Sequence, residues 1–241
     1  MHGKSRTVEA IILAGGKGTR LQPVVSNRPK PMAEVAGRPF AEWLVRALRA
    51  QGVEHVVFCT GYMSQSVESY FGDGSAWNIN ITYSLDPFPL GTAGAIRHAL
   101  SQIDSRYFLA LNGDSFCPID VGLLEEFHDA HDASTTLQLI PMEDCRRFGT
   151  VEVNEDGSVK AFCEKSQEKR SGWINAGIYL FDQDTVSKIP CDRTVSLERE
   201  LFPQWIGHGL YGFLGTGPFI DIGIPETYAV ADTFLPWENL T

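Results

Sequence analysis

Long hydrophobic runs, paired cysteines and an excess of positive charge are all missing from this 241-residue chain. No apolar stretch approaches the ~20 residues that a membrane-spanning helix requires, so no membrane partner is expected. The polar start, Met1 to Glu9, leads into an apolar run from Ala10 to Ala14 that glycines then interrupt. That is too short for a secretory signal and points to a cytoplasmic protein. Lysine and arginine number 20 against 30 aspartates and glutamates, a formal net charge of −10. Nucleic acid as a partner is thereby disfavoured, because it calls for a broad basic face, whereas a small phosphate ligand needs only a local cluster of cations. Cys59, Cys117, Cys145, Cys163 and Cys191 are scattered and contain no C-x-x-C pair. Neither a disulfide framework nor a structural zinc site is expected.

What is present has the rhythm of an α/β protein. Val8 to Ala14 reads as a buried parallel strand, 39–51 as a helix stopped by Gly52, and His55 to Thr60 as the next strand. A short helix near 64–71 follows, then an alternating strand through Ile79, Ile81 and Tyr83. Thr92 is placed to cap a helix bearing Ile96, Leu100 and Ile103, Tyr107 to Leu111 is a further buried strand, and Asp120 is placed to cap a helix bearing Leu123, Leu124 and Phe127. After about Ser134 the strands shorten (135–140, 149–153, 159–163 and 174–181), with a tight turn at 154–157. These segments predict a Rossmann-like, mostly parallel sheet with helices on both faces, plus a smaller β-rich lobe. One domain over 1–241 is expected, with halves dividing at about residues 133 and 134. Pro203 either kinks the helical stretch 196–206 or ends it near Phe202. His128 and His131 lack a convergent third ligand and are read as a solvated helix face.

Chemistry enters with Leu13-Ala14-Gly15-Gly16-Lys17-Gly18-Thr19-Arg20-Leu21, directly after the first strand. Glycines at this density let the backbone approach phosphates and offer N–H groups to them. The spacing matches neither the dinucleotide fingerprint nor a Walker loop. A plain Gly-rich turn accounts for the glycines alone, but Arg20 follows at once. Nine residues on comes Pro29-Lys30-Pro31-Met32, where two prolines restrict Lys30. Asn112-Gly113-Asp114 ends a buried strand at the edge where α/β sheets bind ligands. A carboxylate there suits Mg²⁺, although Asn-Gly-Asp is also turn-prone. Asp221 lies within the apolar run 219–224, where a carboxylate is costly unless it is ion-paired or binds metal, and it is the natural second ligand.

Together these motifs resemble the signature of the sugar nucleotidyltransferases, the nucleoside-diphosphate-sugar pyrophosphorylases. The likeness continues through Pro89-Leu90-Gly91-Thr92-Ala93-Gly94, Phe162-Cys163-Glu164-Lys165, Asn175-Ala176-Gly177 and Asp221-Ile222-Gly223-Ile224-Pro225. It implies an NTP and a sugar 1-phosphate as substrates, a Mg²⁺ cofactor and release of pyrophosphate. It further implies that Arg20, Lys30 and Lys165 act on phosphates and that Asp114 and Asp221 hold the metal. Leu13, Ala14, Gly15, Gly16, Gly18, Thr19, Asp86, Gly91 and Thr92 would line the nucleotide site. Asn112, Gly149, Glu164, Lys165 and Asn175 would meet the sugar phosphate.

Asp86 falls in the loop that aligns with the family's base reader. A carboxylate only accepts hydrogen bonds, and guanine offers two adjacent donors where uracil and thymine offer one, so GTP is favoured, although Asp86 before Pro87 also reads as a solvated turn residue. Within the family the motifs resemble the guanylyltransferases of a manno-configured heptose 1-phosphate, which feed bacterial surface polysaccharide assembly. On that resemblance a C-terminal β-helix is not expected, and homo-oligomerisation is possible. Guanylylation of mannose 1-phosphate, uridylylation of an N-acetylated sugar phosphate and a silent sugar-nucleotide sensor are the competing readings.

Overall fold

The computed structural model describes residues 8–16, 18–163, 168–234 and 237. Four parallel strands form the first half of the sheet: β1 (Glu9–Leu13), β2 (His55–Thr60), β3 (Asn80–Leu85) and β4 (Tyr107–Asn112), in the spatial order β4-β1-β2-β3. Their apolar runs serve two faces, because successive side chains of a strand point to opposite sides. Ala10, Ile12, Val56 and Phe58 face a core with helices α1 (Phe40–Ala50) and α2 (Ser64–Phe71). Ile11, Val57 and Cys59 face a second core with α3 (Gly91–Ala99). Helix α4 (Val121–Ala130) joins the first core through Val121 and Leu124.

The sheet then turns antiparallel. Strands β5 (Thr135–Met142), β6 (Thr150–Val153), β7 (Val159–Cys163) and β8 (Gly172–Asp182) follow, and the long β8 pairs antiparallel with β4, β5 and β6. The final strand, β9 (Leu210–Leu214), runs parallel to β5. Hairpin β6–β7 is closed by the expected turn, in which Gly157 N donates to Asn154 O at 3.0 Å and Gly157 has φ of 79°. Asp120 caps α4 as its sequence position predicts, accepting from Leu123 N at 3.0 Å.

Two local expectations need correction, and one open alternative is resolved. Thr92 lies inside α3 rather than capping it; the carbonyl of Val195 instead accepts from Ala93 N at 3.0 Å and Gly94 N at 3.3 Å. His128 is not on a solvated face but fully buried, its Nδ1 2.8 Å from Thr136 Oγ1. Its spacing from Val121 and Leu124 puts it on the face of α4 that packs on the sheet. Residues 196–206 are a π-helical turn, Leu197–Leu201, running into a short α turn, Phe202–Trp205. Leu201 and Phe202 keep right-handed helical dihedrals, so the helical stretch runs on through Pro203 to Trp205, changing from π to α just before the proline.

At the sheet end away from the Gly-rich loop, Glu9 is buried and multiply bonded. Its Oε1 lies 2.7 Å from His55 Nδ1, and its Oε2 accepts from Asp104 N, Ser105 N and Ser105 Oγ at 2.6–2.7 Å. Burial pushes its pKa up, but these hydrogen bonds outweigh burial and hold the carboxyl below its ordinary value of 4.5. A lowered acid contributes stability that is present above the unfolded pKa and lost as pH falls through the folded one. Glu9→Gln should therefore cost about 1–3 kcal/mol at pH 7. The gap in melting temperature from wild type should close below pH 4.5; a gap independent of pH would refute the ionic contribution.

Candidate active site

The C-terminal ends of β1, β2, β3 and β4 release the loops that make the site. Those loops enclose a cavity of about 490 Å³, lined by Leu13, Ala14, Gly15, Gly16, Gly18, Thr19, Arg20, Lys30, Asp86, Gly91 and Thr92 together with Asn112 and Asp114. A second cavity of about 530 Å³ lies against it under the antiparallel half and includes Gly149, Asn175 and Asp221. Arg20, Asn112, Asp114 and Glu198 line both. The structure thus brings together every described residue that the sequence assigns to the site. Glu164 and Lys165 lie outside the described residues.

The contact between Gly113 and β1 fixes the seam between the cavities. Gly113 N donates to Leu13 O at 3.0 Å, and a Cβ at this position would stand 2.5 Å from that oxygen. Only glycine lets the chain turn so close to β1 and carry Asp114 to the cavity floor. Beyond it, Ser115–Phe116 pairs antiparallel with Ile220–Asp221, and Ile222 N donates to Asp114 O at 2.9 Å. Two carboxylates more than a hundred residues apart are thereby set side by side. Lys30, held in a 3-10 turn (Lys30–Met32) after Pro29, reaches between them. Its Nζ donates to Asp114 Oδ2 and lies 3.9 Å from Asp221 Oδ1. Arg147 approaches the far oxygen, Oδ2, of Asp221 at 3.9 Å.

Two carboxylates that already converge on one cation are a donor set that fits Mg²⁺. No third Asp, Glu, His or Cys joins them in a cluster among the described residues. Phosphate oxygens and water would complete the coordination, as this ion prefers.

At the opposite wall, Asp86 follows β3 and its N–H donates to Thr60 O at 2.8 Å. Its Oδ1 is buried with no hydrogen-bond partner, and burial pushes its pKa to about 6 despite the nearby His98. A cavity acceptor left unpaired is poised for a ligand donor.

Among the lining residues of the second cavity that the sequence motifs missed are Arg147, Tyr179, Glu198 and Arg199. Glu198 accepts from Thr92 Oγ1 at 3.0 Å and Ser196 Oγ at 2.9 Å, tying the π-helical turn to α3. Leu197-Glu198-Arg199-Glu200 reads as an ordinary helix surface, so nothing local marked it. Tyr179 is fully buried in β8 and takes a hydrogen bond from Asn175 Nδ2 at 3.0 Å. Arg147 stands two residues before Gly149, a position the motifs had already reached.

The family model described as nucleotidyl transferase matches residues 9–236. The chain belongs to the nucleotidyl transferase family. It is 38% identical to the D-glycero-alpha-D-manno-heptose 1-phosphate guanylyltransferase of Aneurinibacillus thermoaerophilus, over 93% of this chain and 96% of that protein. It is 39% identical to the mannose-1-phosphate guanylyltransferase of Mycobacterium tuberculosis over 92% of this chain, spanning only 62% of that protein's length. The crystal structure of HddC from Yersinia pseudotuberculosis complexed with GMP-PN superposes with a TM-score of 0.83 at 31% identity, covering 93% of this chain and 98% of that one. No helix among the described residues of this nucleotidyl transferase is long and apolar enough to cross a membrane.

The raised pKa of Asp86 has a sign that can be measured. An acid whose folded pKa lies above its unfolded one loses stability as pH rises from about 3.8 to about 6. Asp86→Asn should therefore melt at a higher temperature than wild type at pH 8, and that advantage should shrink toward pH 4. A lower melting temperature at pH 8 would mean that the carboxylate has a partner in solution.

Proposed function

We propose that this chain transfers the guanylyl group of GTP to a sugar 1-phosphate and releases pyrophosphate, with a manno-configured heptose 1-phosphate as the preferred acceptor. The observation that carries the reading is the shared wall of the two cavities. Arg20, Asn112 and Asp114 face a nucleotide on one side and a sugar phosphate on the other. An oxygen of the sugar phosphate attacks the α-phosphorus in line, a new P–O bond forms, and the bond to the bridging oxygen breaks as pyrophosphate leaves with its electron pair. The attacking group is already an anion, so no general base is needed; charge neutralisation and positioning supply the catalysis.

Arg20 and Lys30 stabilise the α-phosphate and the departing pyrophosphate. The Gly-rich loop, 14–18, offers backbone N–H groups to the triphosphate, while Asn112, Gly149 and Asn175 hold the sugar phosphate with Glu164 and Lys165. Mg²⁺ held by Asp114 and Asp221 would neutralise charge on the reacting phosphates. Asp86 accepts from N1–H and the N2 amino group of guanine. The chain works as one domain, with a nucleotide half over about 1–133 and a sugar half over about 134–241. A role in the cytoplasm, in making the sugar nucleotide for surface polysaccharide, accords with these substrates. The relatives named for heptose and for mannose 1-phosphate are similarly close, and mannose 1-phosphate is the second acceptor to try.

Pyrophosphate release measured for each NTP against a panel of sugar 1-phosphates tests the assignment. GTP with the heptose phosphate should give the highest kcat/KM, and Asp86→Asn should weaken the GTP preference by roughly ten-fold, the cost of a mismatched buried donor pair. A wild type that prefers UTP or dTTP would overturn the guanylyl reading. Asp114→Asn and Asp221→Asn should each lower kcat by about 100-fold or more with the fold intact. Arg20→Ala should depress kcat more than it raises the KM for nucleotide. Near-normal turnover in any of these variants would remove that residue from the mechanism.

A further inference from the structure

The position of Lys30 bears on how the site is loaded. Its side chain is only 11% exposed, and its ammonium stands among groups that leave it little room. It donates to Asp114 Oδ2, lies 3.9 Å from Asp221 Oδ1, and stands where a Cβ at Gly223 would be 2.6 Å from Nζ. Gly223 in turn donates its N–H to Asp221 Oδ1 at 2.5 Å, which orients that carboxylate toward Lys30. The two carboxylates that would hold a divalent cation are thus already engaged by an internal cation. An ammonium and a divalent ion repel strongly at such separations in a partly enclosed site, so the two compete for the same oxygens.

We propose that Lys30 is an exchangeable counterion that keeps Asp114 and Asp221 together until phosphate draws it away, so that the divalent cation enters with the nucleotide rather than ahead of it. This rests on the metal assignment made above and adds an order of events to it. Lys30 also lines the nucleotide cavity, so a triphosphate there offers its ammonium an alternative anionic partner. The exchange exposes the carboxylates only when phosphate oxygens are present to share the incoming ion. Phosphate and metal binding are then positively coupled, and the coupling is reciprocal. Arg147, 3.9 Å from Asp221 Oδ2, is a weaker second counterion of the same kind.

The test is a titration of the nucleotide-free protein with Mn²⁺, followed by the loss of the free-ion signal in electron paramagnetic resonance. Lys30→Met, which keeps the length of the side chain without its charge, should bind Mn²⁺ at least roughly ten-fold more tightly than wild type. Lys30→Gln should show the same direction, and Lys30→Arg, which retains the charge, should stay near wild type. Adding Asp114→Asn to Lys30→Met should remove the gain, which ties it to this site. Circular dichroism and melting temperature confirm that each variant is folded. Equal or weaker Mn²⁺ binding by both folded Lys30→Met and Lys30→Gln would overturn the exchange while leaving the metal assignment standing. Mn²⁺ that binds none of these proteins would overturn the metal assignment and the exchange together.

Discussion

Two carboxylates from distant parts of the chain, Asp114 and Asp221, stand side by side because a two-residue strand pairing puts them there and Lys30 offsets their repulsion. Most of the site follows from that constraint. Gly113 must be bare for Asp114 to arrive, and Gly223 must be bare for Lys30 and Asp221 to meet. The prolines around Lys30 hold its turn in place beside the seam where the two cavities meet. A reaction between phosphates needs concentrated positive charge, yet the chain as a whole is acidic. Its positive charge is concentrated locally instead, in Arg20, Lys30, Arg147 and Arg199 at the two cavities.

The two halves of the sheet divide the labour. Parallel strands end at one edge, and the loops leaving them are the natural site for a nucleotide. The antiparallel extension through β8 lines the second cavity with buried side chains such as Tyr179, and Glu198 and Arg199 line it from the π-helical turn. Hydrogen bonds from Thr92 to Glu198 and from Leu197 N to Thr92 Oγ1 join the two sides, tying the wall of the first cavity to the π-helical turn that lines the second.

How much was readable beforehand depended on the range of the interaction. Strands β2 and β7 and helix α2 have the bounds expected of them, because a continuous apolar run and a local helical period decide them. The Gly-rich loop, Lys30, Asp114 and Asp221 were legible as residues because glycine density, paired prolines and a carboxylate inside an apolar run are each unusual. Thr92 failed as a cap because Val195, about a hundred residues later, supplies the oxygen that sequence reasoning sought nearby. His128 was misplaced because a polar residue on the buried face of a helix looks like a surface residue until its partner, Thr136, is known. Glu198 was invisible for the same reason: its role comes from lining both cavities, which only the assembled chain creates.

The proposed transfer is direct, between two substrates held across one wall, with no side chain taking the nucleotidyl group. The stereochemical course at the α-phosphorus tests it most directly, using the α-thio analogue of the accepted nucleotide in a single diastereomer. A single in-line displacement predicts inversion of configuration in the sugar nucleotide formed. Retention would mean two displacements and a covalent intermediate on the protein, which would contradict the account.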